Sequence, residues 1–339
     1  MSWHAAGLDY AGLPALGASR ARSLDLLGQV SSRLDAALAG TDGVLTIAAA
    51  GSLGRLEVTA DSDLDGIVVV DGRLSPGDAD ALVARAYAAL RDCPIKLPKA
   101  AGIFRSPVTA GALCAPAARG ALDEPPAVFG KRIQFLLDTR PIHGAAAYSD
   151  LRRRILEWYA GPGQLAHPAS QFTLLVNDLQ RYLHAYAGWQ QYKFERSADD
   201  GWYLRQAKLR TSRAVTFAGL LLLLGASSRR DDKLECLHAW LDLTPLERVH
   251  AVMTAAGDTA GFRRIAQLYD AVHALLADPG QRAGLVADSP ATAESLPACY
   301  PPAFEEIHRL SGELLRGLSR FVLERRDDWH PDFFSYLIL

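Results

Sequence analysis

The chain has 339 residues, 49% of them apolar and 22% charged. That composition supplies ample material for buried cores, excludes a disordered or fibrous chain, and at this length predicts two domains. With 36 bases against 38 acids the formal charge is −2, which excludes a generally basic coat and argues against long nucleic acids as substrates.

Residues 20–40 carry Leu24, Leu27, Val30, Leu34 and Leu38 at three- and four-residue steps, the period of an amphipathic helix. Residues 44–50 read as a buried strand, 51–54 as a tight turn, and 64–70 as a second strand ending at the turn signal Asp71-Gly72. Residues 78–92 are again helical in pattern. Between Cys93 and Pro126 six prolines break the pattern, and short strands and loops are expected there. From near residue 129 onward the segments 131–137, 151–159, 172–194, 204–224, 234–241, 245–256, 261–277 and 304–326 all read as helices. Five prolines within 278–302 predict a linker or surface loop. The fold class expected is therefore α+β, a small mixed sheet with helices over residues 1–128, followed by an all-α bundle over 129–339.

The longest apolar run, residues 215–224, falls short of the roughly 20 residues of a membrane span. The opening Met1-Ser2-Trp3-His4 has neither the basic nor the apolar region of a secretory signal. Both point to a cytoplasmic protein with no membrane partner. Cys93, Cys114, Cys236 and Cys299 lie far apart, with neither zinc nor disulfide spacing. The apolar segment 333–339 is expected to dock on the helical core, a homodimer contact being the alternative.

One stretch carries chemistry: Gly51-Ser-Leu-Gly-Arg-Leu-Glu-Val-Thr-Ala-Asp-Ser-Asp-Leu-Asp-Gly66. A strand runs into Gly51-Ser52, and ten residues after Ser52 the pair Asp63 and Asp65 opens the next strand. Strand side chains at i and i+2 share a face, so the two carboxylates project together. Their repulsion is relieved by a hard divalent cation with oxygen ligands, for which Mg²⁺ is the expectation. Such an ion usually completes its shell with substrate phosphates. Gly51 lets backbone approach a phosphate, the turn's N–H groups and the Ser52 hydroxyl can bind anionic oxygens, and Arg55 is close enough in sequence to join them.

This arrangement resembles the signature of the DNA polymerase β-like nucleotidyltransferase superfamily. The fuller string, Gly51-Ser52-x-Gly54-Arg55-x-Glu57 leading to Asp61-Ser62-Asp63-x-Asp65, is most similar to a bacterial branch related to the nitrogen-regulator protein uridylyltransferases. Segments 98–104, 132–137, 177–182 and 202–213 also resemble parts of that branch, so the similarity covers roughly residues 44–225. The resemblance implies that Asp63 and Asp65 hold Mg²⁺, and that Gly51 and Ser52 hold the phosphates of a nucleoside triphosphate. The reaction implied moves the monophosphate to a hydroxyl of a protein or small-molecule acceptor and releases pyrophosphate. ATP is the assumed donor, on abundance alone. Such enzymes usually carry a third carboxylate on a later strand. This sequence departs from that pattern, since Ile95-Lys96-Leu97, near the expected position, carries a lysine and no acid. The departure gives a second expectation, a non-catalytic nucleotide-binding regulator, and a third, a scaffold with a vestigial transferase domain.

Two helical stripes complete the expected site. Asn177, Arg181 and His184 fall together opposite an apolar face made by Phe172, Leu175, Val176, Leu179, Leu183 and Tyr186. Arg205, Lys208 and Ser212 share a stripe at i, i+3 and i+7, where an anion would relieve like-charge repulsion. With the resemblance, Asn177, Arg181, Arg205, Lys208 and Ser212 are expected to face the nucleotide.

Overall fold

The computed structural model describes residues 7–98, 103–166, 171–196, 201–290, 293–295 and 299–338. Lys99 to Gly102, within one of the resembling segments, lie outside them. In chain order the elements begin with α1 (Pro14–Leu38), β1 (Val44–Ala50), the single-turn α2 (Gly51–Arg55), β2 (Asp65–Val70) and α3 (Pro76–Ala89). Next come β3 (Val108–Thr109), α4 (Ala110–Leu113), α5 (Pro126–Leu137), β4 (Arg140–His143), α6 (Ala145–Ala166) and α7 (Thr173–Arg196). The remainder is α8 (Trp202–Lys208), a π-helical turn (Leu209–Arg213), α9 (Ala214–Ser227), α10 (Lys233–Trp240) and α11 (Pro245–Ala255). It closes with α12 (Thr259–Ala277), α13 (Pro279–Ala287), α14 (Pro302–Glu324) and α15 (Pro331–Ile338).

The layout is α+β first and helices after, as expected, but the compact units do not part at residue 128. One unit comprises Ala18–Leu175 and Arg230–Thr244; the other comprises Met1–Gly17, Val176–Arg229 and Pro245–Leu339.

The first unit is built on a four-stranded mixed sheet in the order β3-β2-β1-β4. Strand β1 pairs antiparallel with β2 and β4, and β2 pairs parallel with β3. Leu64, Val68 and Val70 point to the same core as Leu26, Val30 and Leu34 of α1 and Val83 and Tyr87 of α3. Helix α3 starts where Ser75 accepts from the Asp78 amide ahead of Pro76, a standard N-terminal cap. Strand β4 corrects the sequence reading, which took everything from near residue 129 as helical. Four residues including Pro141 carry too little pattern to register alone; pairing with β1 makes them a strand.

The second unit is helical. Helix α9 packs on α11, and α12 on α14. The continuous helix Trp202–Ser227 is long and apolar enough to cross a membrane, yet more than half of that window is buried among its neighbours. Its apolar part is α9, most of whose residues are buried, as in a core helix. The C-terminal segment docks as expected: Phe333 and Phe334 are buried, and the Gln180 side chain of α7 donates to the Leu337 carbonyl at 2.8 Å. The expected linker 278–302 contains instead helix α13, because Asp278 caps the Gln281 amide and Pro279 stands at the first position.

Lys131 of α5 is 2% exposed and donates to the Ser106 carbonyl at 2.6 Å and to its hydroxyl at 3.2 Å. Burial pulls its pKa down from 10.5 to about 8. Below about pH 8 the folded protein must hold a buried ammonium. Between about 8 and 10.5 the unfolded chain binds more protons, so the stability this residue withholds is recovered as the pH rises. Urea unfolding of Lys131→Met beside the unaltered protein is expected to show its advantage shrink between pH 7.5 and 10, by about 1 kcal/mol or more.

Candidate functional site

The turn after β1 is the one-turn helix α2 rather than an open turn. Gly51 opens it at φ +68°, a conformation that favours glycine. Ala50, the residue before it, gives the helix no side-chain cap, so its first amides are unclaimed by any side chain at that position. Helix α2 ends at Leu56, which is left-handed (φ 63°, ψ 41°) and donates its amide to Leu53. Glu57 then returns its amide to the Ser52 carbonyl at 2.8 Å. The left-handed Leu56 costs about 1–2 kcal/mol; its buried side chain offsets that cost.

Asp65 pairs with Ala50 across the sheet, so its side chain emerges beside the start of α2. An added Cβ on Gly51 would stand 2.7 Å from Asp65 Oδ2. The carboxylate therefore lies directly on the glycine, and only glycine leaves room for it. Asp63 is exposed and Leu64 buried, the alternation that sends both acids to the face opposite the Leu64 core. Backbone bonds hold this stretch extended: Leu64 donates to the Lys96 carbonyl at 2.8 Å, and Lys96 donates to Ser62 at 3.3 Å. Thus the expected pairing of Asp63 with Asp65 has a backbone that supports it, and Gly51 and Ser52 belong to the same corner. Two hard carboxylates on one face suit an oxygen-seeking divalent ion such as Mg²⁺. Among the described residues no three His, Cys, Asp or Glu side chains gather as a metal-binding group.

The neighbour of Asp63 is Lys96, paired with it in an isolated parallel bridge. Its ammonium donates to Asp61 at 2.8 Å. Asp63 thus has a cation, not a further acid, as its bridge partner.

Arg55 corrects the sequence reading, because it turns inward instead of joining the phosphate-binding residues. It is 8% exposed. Its Nε donates to Glu57 Oε2 and its Nη1 to Asp138 Oδ2, both at 2.7 Å. Around the same point a methyl on Gly54 would overlap the Asp138 carbonyl oxygen and stand 2.6 Å from the Ala49 oxygen. Arg140 donates from Nε to the Gly54 carbonyl at 3.1 Å and from Nη2 to Asp242 at 3.1 Å. The Gly-x-x-Gly-Arg-x-Glu string is therefore a clamp: its arginine, glutamate and second glycine fasten the turn to segment 138–140. Asp138 and Arg140 were missed in the sequence, because their partners Arg55 and Gly54 lie 83 and 86 residues away along the chain.

The two helical stripes lie in the second unit. Asn177 donates to Asp178 at 3.2 Å and Arg181 donates to the same oxygen at 3.1 Å; Asp178 is buried. Both predicted residues thus share a buried acid of their own helix. Arg205 is half-buried and Lys208 exposed on α8, three residues apart as read. The π-helical turn Leu209–Arg213 follows, and its wider winding ends the regular angular arithmetic that put Ser212 in line with them. The Ser212 hydroxyl donates to the Lys208 carbonyl at 3.3 Å.

Comparison with models of known protein families and with curated proteins finds no match.

Replacing Arg55 by Met leaves Glu57 and Asp138 buried without their cation. Equilibrium urea unfolding is expected to show a loss of about 3–5 kcal/mol; a loss under 1 kcal/mol would mean that the clamp does not hold the turn.

Proposed function

We propose that this chain is a magnesium-dependent nucleotidyltransferase, of the kind its motif resembles. It transfers a nucleoside monophosphate from a nucleoside triphosphate to a hydroxyl of a protein or small-molecule acceptor. The observation that carries the reading is the Asp65 carboxylate seated on Gly51, at the mouth of a helical turn whose preceding residue supplies no cap. A cation-binding acid and phosphate-binding amides are thereby neighbours, as a polyphosphate with its metal requires. Asp63 and Asp65 would hold Mg²⁺, which when bound would offset phosphate charge. Gly51 and Ser52 would receive phosphate oxygens on their backbone amides and the Ser52 hydroxyl. Glu57, Asp138 and Arg55 would keep that turn rigid from behind, a positioning role. In the step itself the acceptor oxygen bonds to the α-phosphorus, the bond from that phosphorus to the bridging oxygen breaks, and pyrophosphate leaves while the acceptor loses its proton.

A second reading has its own observation. Lys96 beside Asp63 favours a regulator that binds nucleotide without turning it over, since a fixed cation there can meet phosphate but cannot act as a carboxylate base.

The test incubates the full chain with each α-labelled nucleoside triphosphate, Mg²⁺, and fractions of small molecules and proteins as acceptors. The expected result is pyrophosphate release coupled to label transfer, lowered about 100-fold or more in Asp65→Asn and Asp63→Asn at unchanged melting temperature. Saturable nucleotide binding with no release under any acceptor fraction would establish the regulator instead. No binding of any nucleoside triphosphate, with or without Mg²⁺, would overturn both.

A further inference from the structure

Arg210 stands on the π-helical turn Leu209–Arg213 of the second unit. It is half-buried, and its Nε donates to the Ser311 hydroxyl at 2.9 Å. Ser311 is fully buried, and its own hydroxyl donates to the His308 carbonyl at 3.1 Å. The guanidinium is thus aimed by a buried group on α14, and its Nη2 lies over Gly312 of that helix. Arg316, on the same helix, meets it there. An added Cβ on Gly312 would stand 3.5 Å from Arg316 Nη1 and 3.7 Å from Arg210 Nη2. Two cations converge over one glycine, and among the described residues neither takes part in a salt bridge. The nearest carboxylate in sequence, Glu313, is engaged by Arg264 and by Arg309, the latter at 2.9 Å, and feels the charge of Arg316 without a salt bridge to it. His308 lies one turn before Gly312 with the Tyr300 ring 5.0 Å from its own. Burial, then the charge of Arg210, push the His308 pKa down, which puts the imidazole in the same field.

Like charges held this way repel unless an anion lies between them. A rigid, serine-anchored guanidinium is a geometry made for oxyanions. We propose that Arg210, Arg316 and His308 form an anion site that takes the phosphate group of a small phosphorylated molecule. A carboxylate is satisfied by one guanidinium fork, whereas donors from three side chains match the several oxygens of a phosphate. A π-turn at this point has a reason as well, since the extra residue in the turn re-aims its side chains. The site is built wholly within the second unit and does not rest on the transferase reading.

The test is calorimetric titration of the full chain with inorganic phosphate and pyrophosphate at fixed ionic strength without Mg²⁺. The expected result is one saturable site, weakened at least tenfold in Arg316→Gln. Arg316 is exposed, so that variant is expected to melt with the unaltered protein. Asp65→Asn and Lys208→Gln are expected to bind as the unaltered protein does. Three results would each overturn the proposal: no saturable binding, equal affinity for acetate, or a loss in Lys208→Gln with none in Arg316→Gln.

Discussion

The pairing of Arg55 with Glu57 and Asp138 is the constraint on which the candidate site depends. All three side chains are withdrawn from water. An ion so placed costs several kcal/mol to desolvate, and the cost is offset only when partners and geometry are right. Arginine meets the requirement because its planar fork offers donors in two directions at once, one for each acid. A lysine would offer a single point charge without the fixed planar geometry that aims one donor at each acid. The consequence is mechanical: the turn after β1 is fastened to segment 138–140. Rigidity there matters because groups aimed at a charge stabilise it only if they need not reorganise.

Two conformational costs sit on either side of the clamp. Gly51 takes a left-handed backbone at no steric cost, while Leu56 takes one at the expense of its Cβ. Strain of this kind persists where surrounding packing over-determines the backbone, and it concentrates at places where precise placement is needed. Here the packing is explicit. The Val58 amide is held by the Ser23 hydroxyl of α1 at 3.0 Å, so the chain leaving Leu56 is tied to the layer beneath. The Asp65 carboxylate at Gly51 and the Asp138 carbonyl at Gly54 both bear on the same five-residue helix.

The helical unit follows a different logic. Its helices pack through apolar faces, such as the α9–α11 contact, and one of its turns departs from regular helix geometry. The π-turn between α8 and α9 carries Arg210, Ser212 and Arg213. Arg210 reaches Ser311 on α14, and Arg213 lies over the Tyr186 ring at 5.3 Å. A single irregular turn thus distributes two cations to two different neighbours.

Hydrophobic period was enough, without any structure, to locate α1, β1, α3 and most of the later helices, because burial of one face writes itself into spacing. The corner that joins Gly51 and Asp65 was legible for the same reason: strand alternation and an obligatory glycine are local properties of the chain. What the sequence could not disclose were facts that depend on partners distant along it. Strand β4 exists because β1 offers it a ladder, and Pro141 within it argues against a strand when read alone. Arg55 read as a phosphate-binding cation beside Ser52, whereas its partner Asp138 lies 83 residues away along the chain. The angle at Ser212 depended on a π-turn that the residue spacing does not announce. Local spacing can state which residues share a face; only the folded chain decides what that face meets, because the energy of a buried charge or an edge strand is set by its neighbours in space.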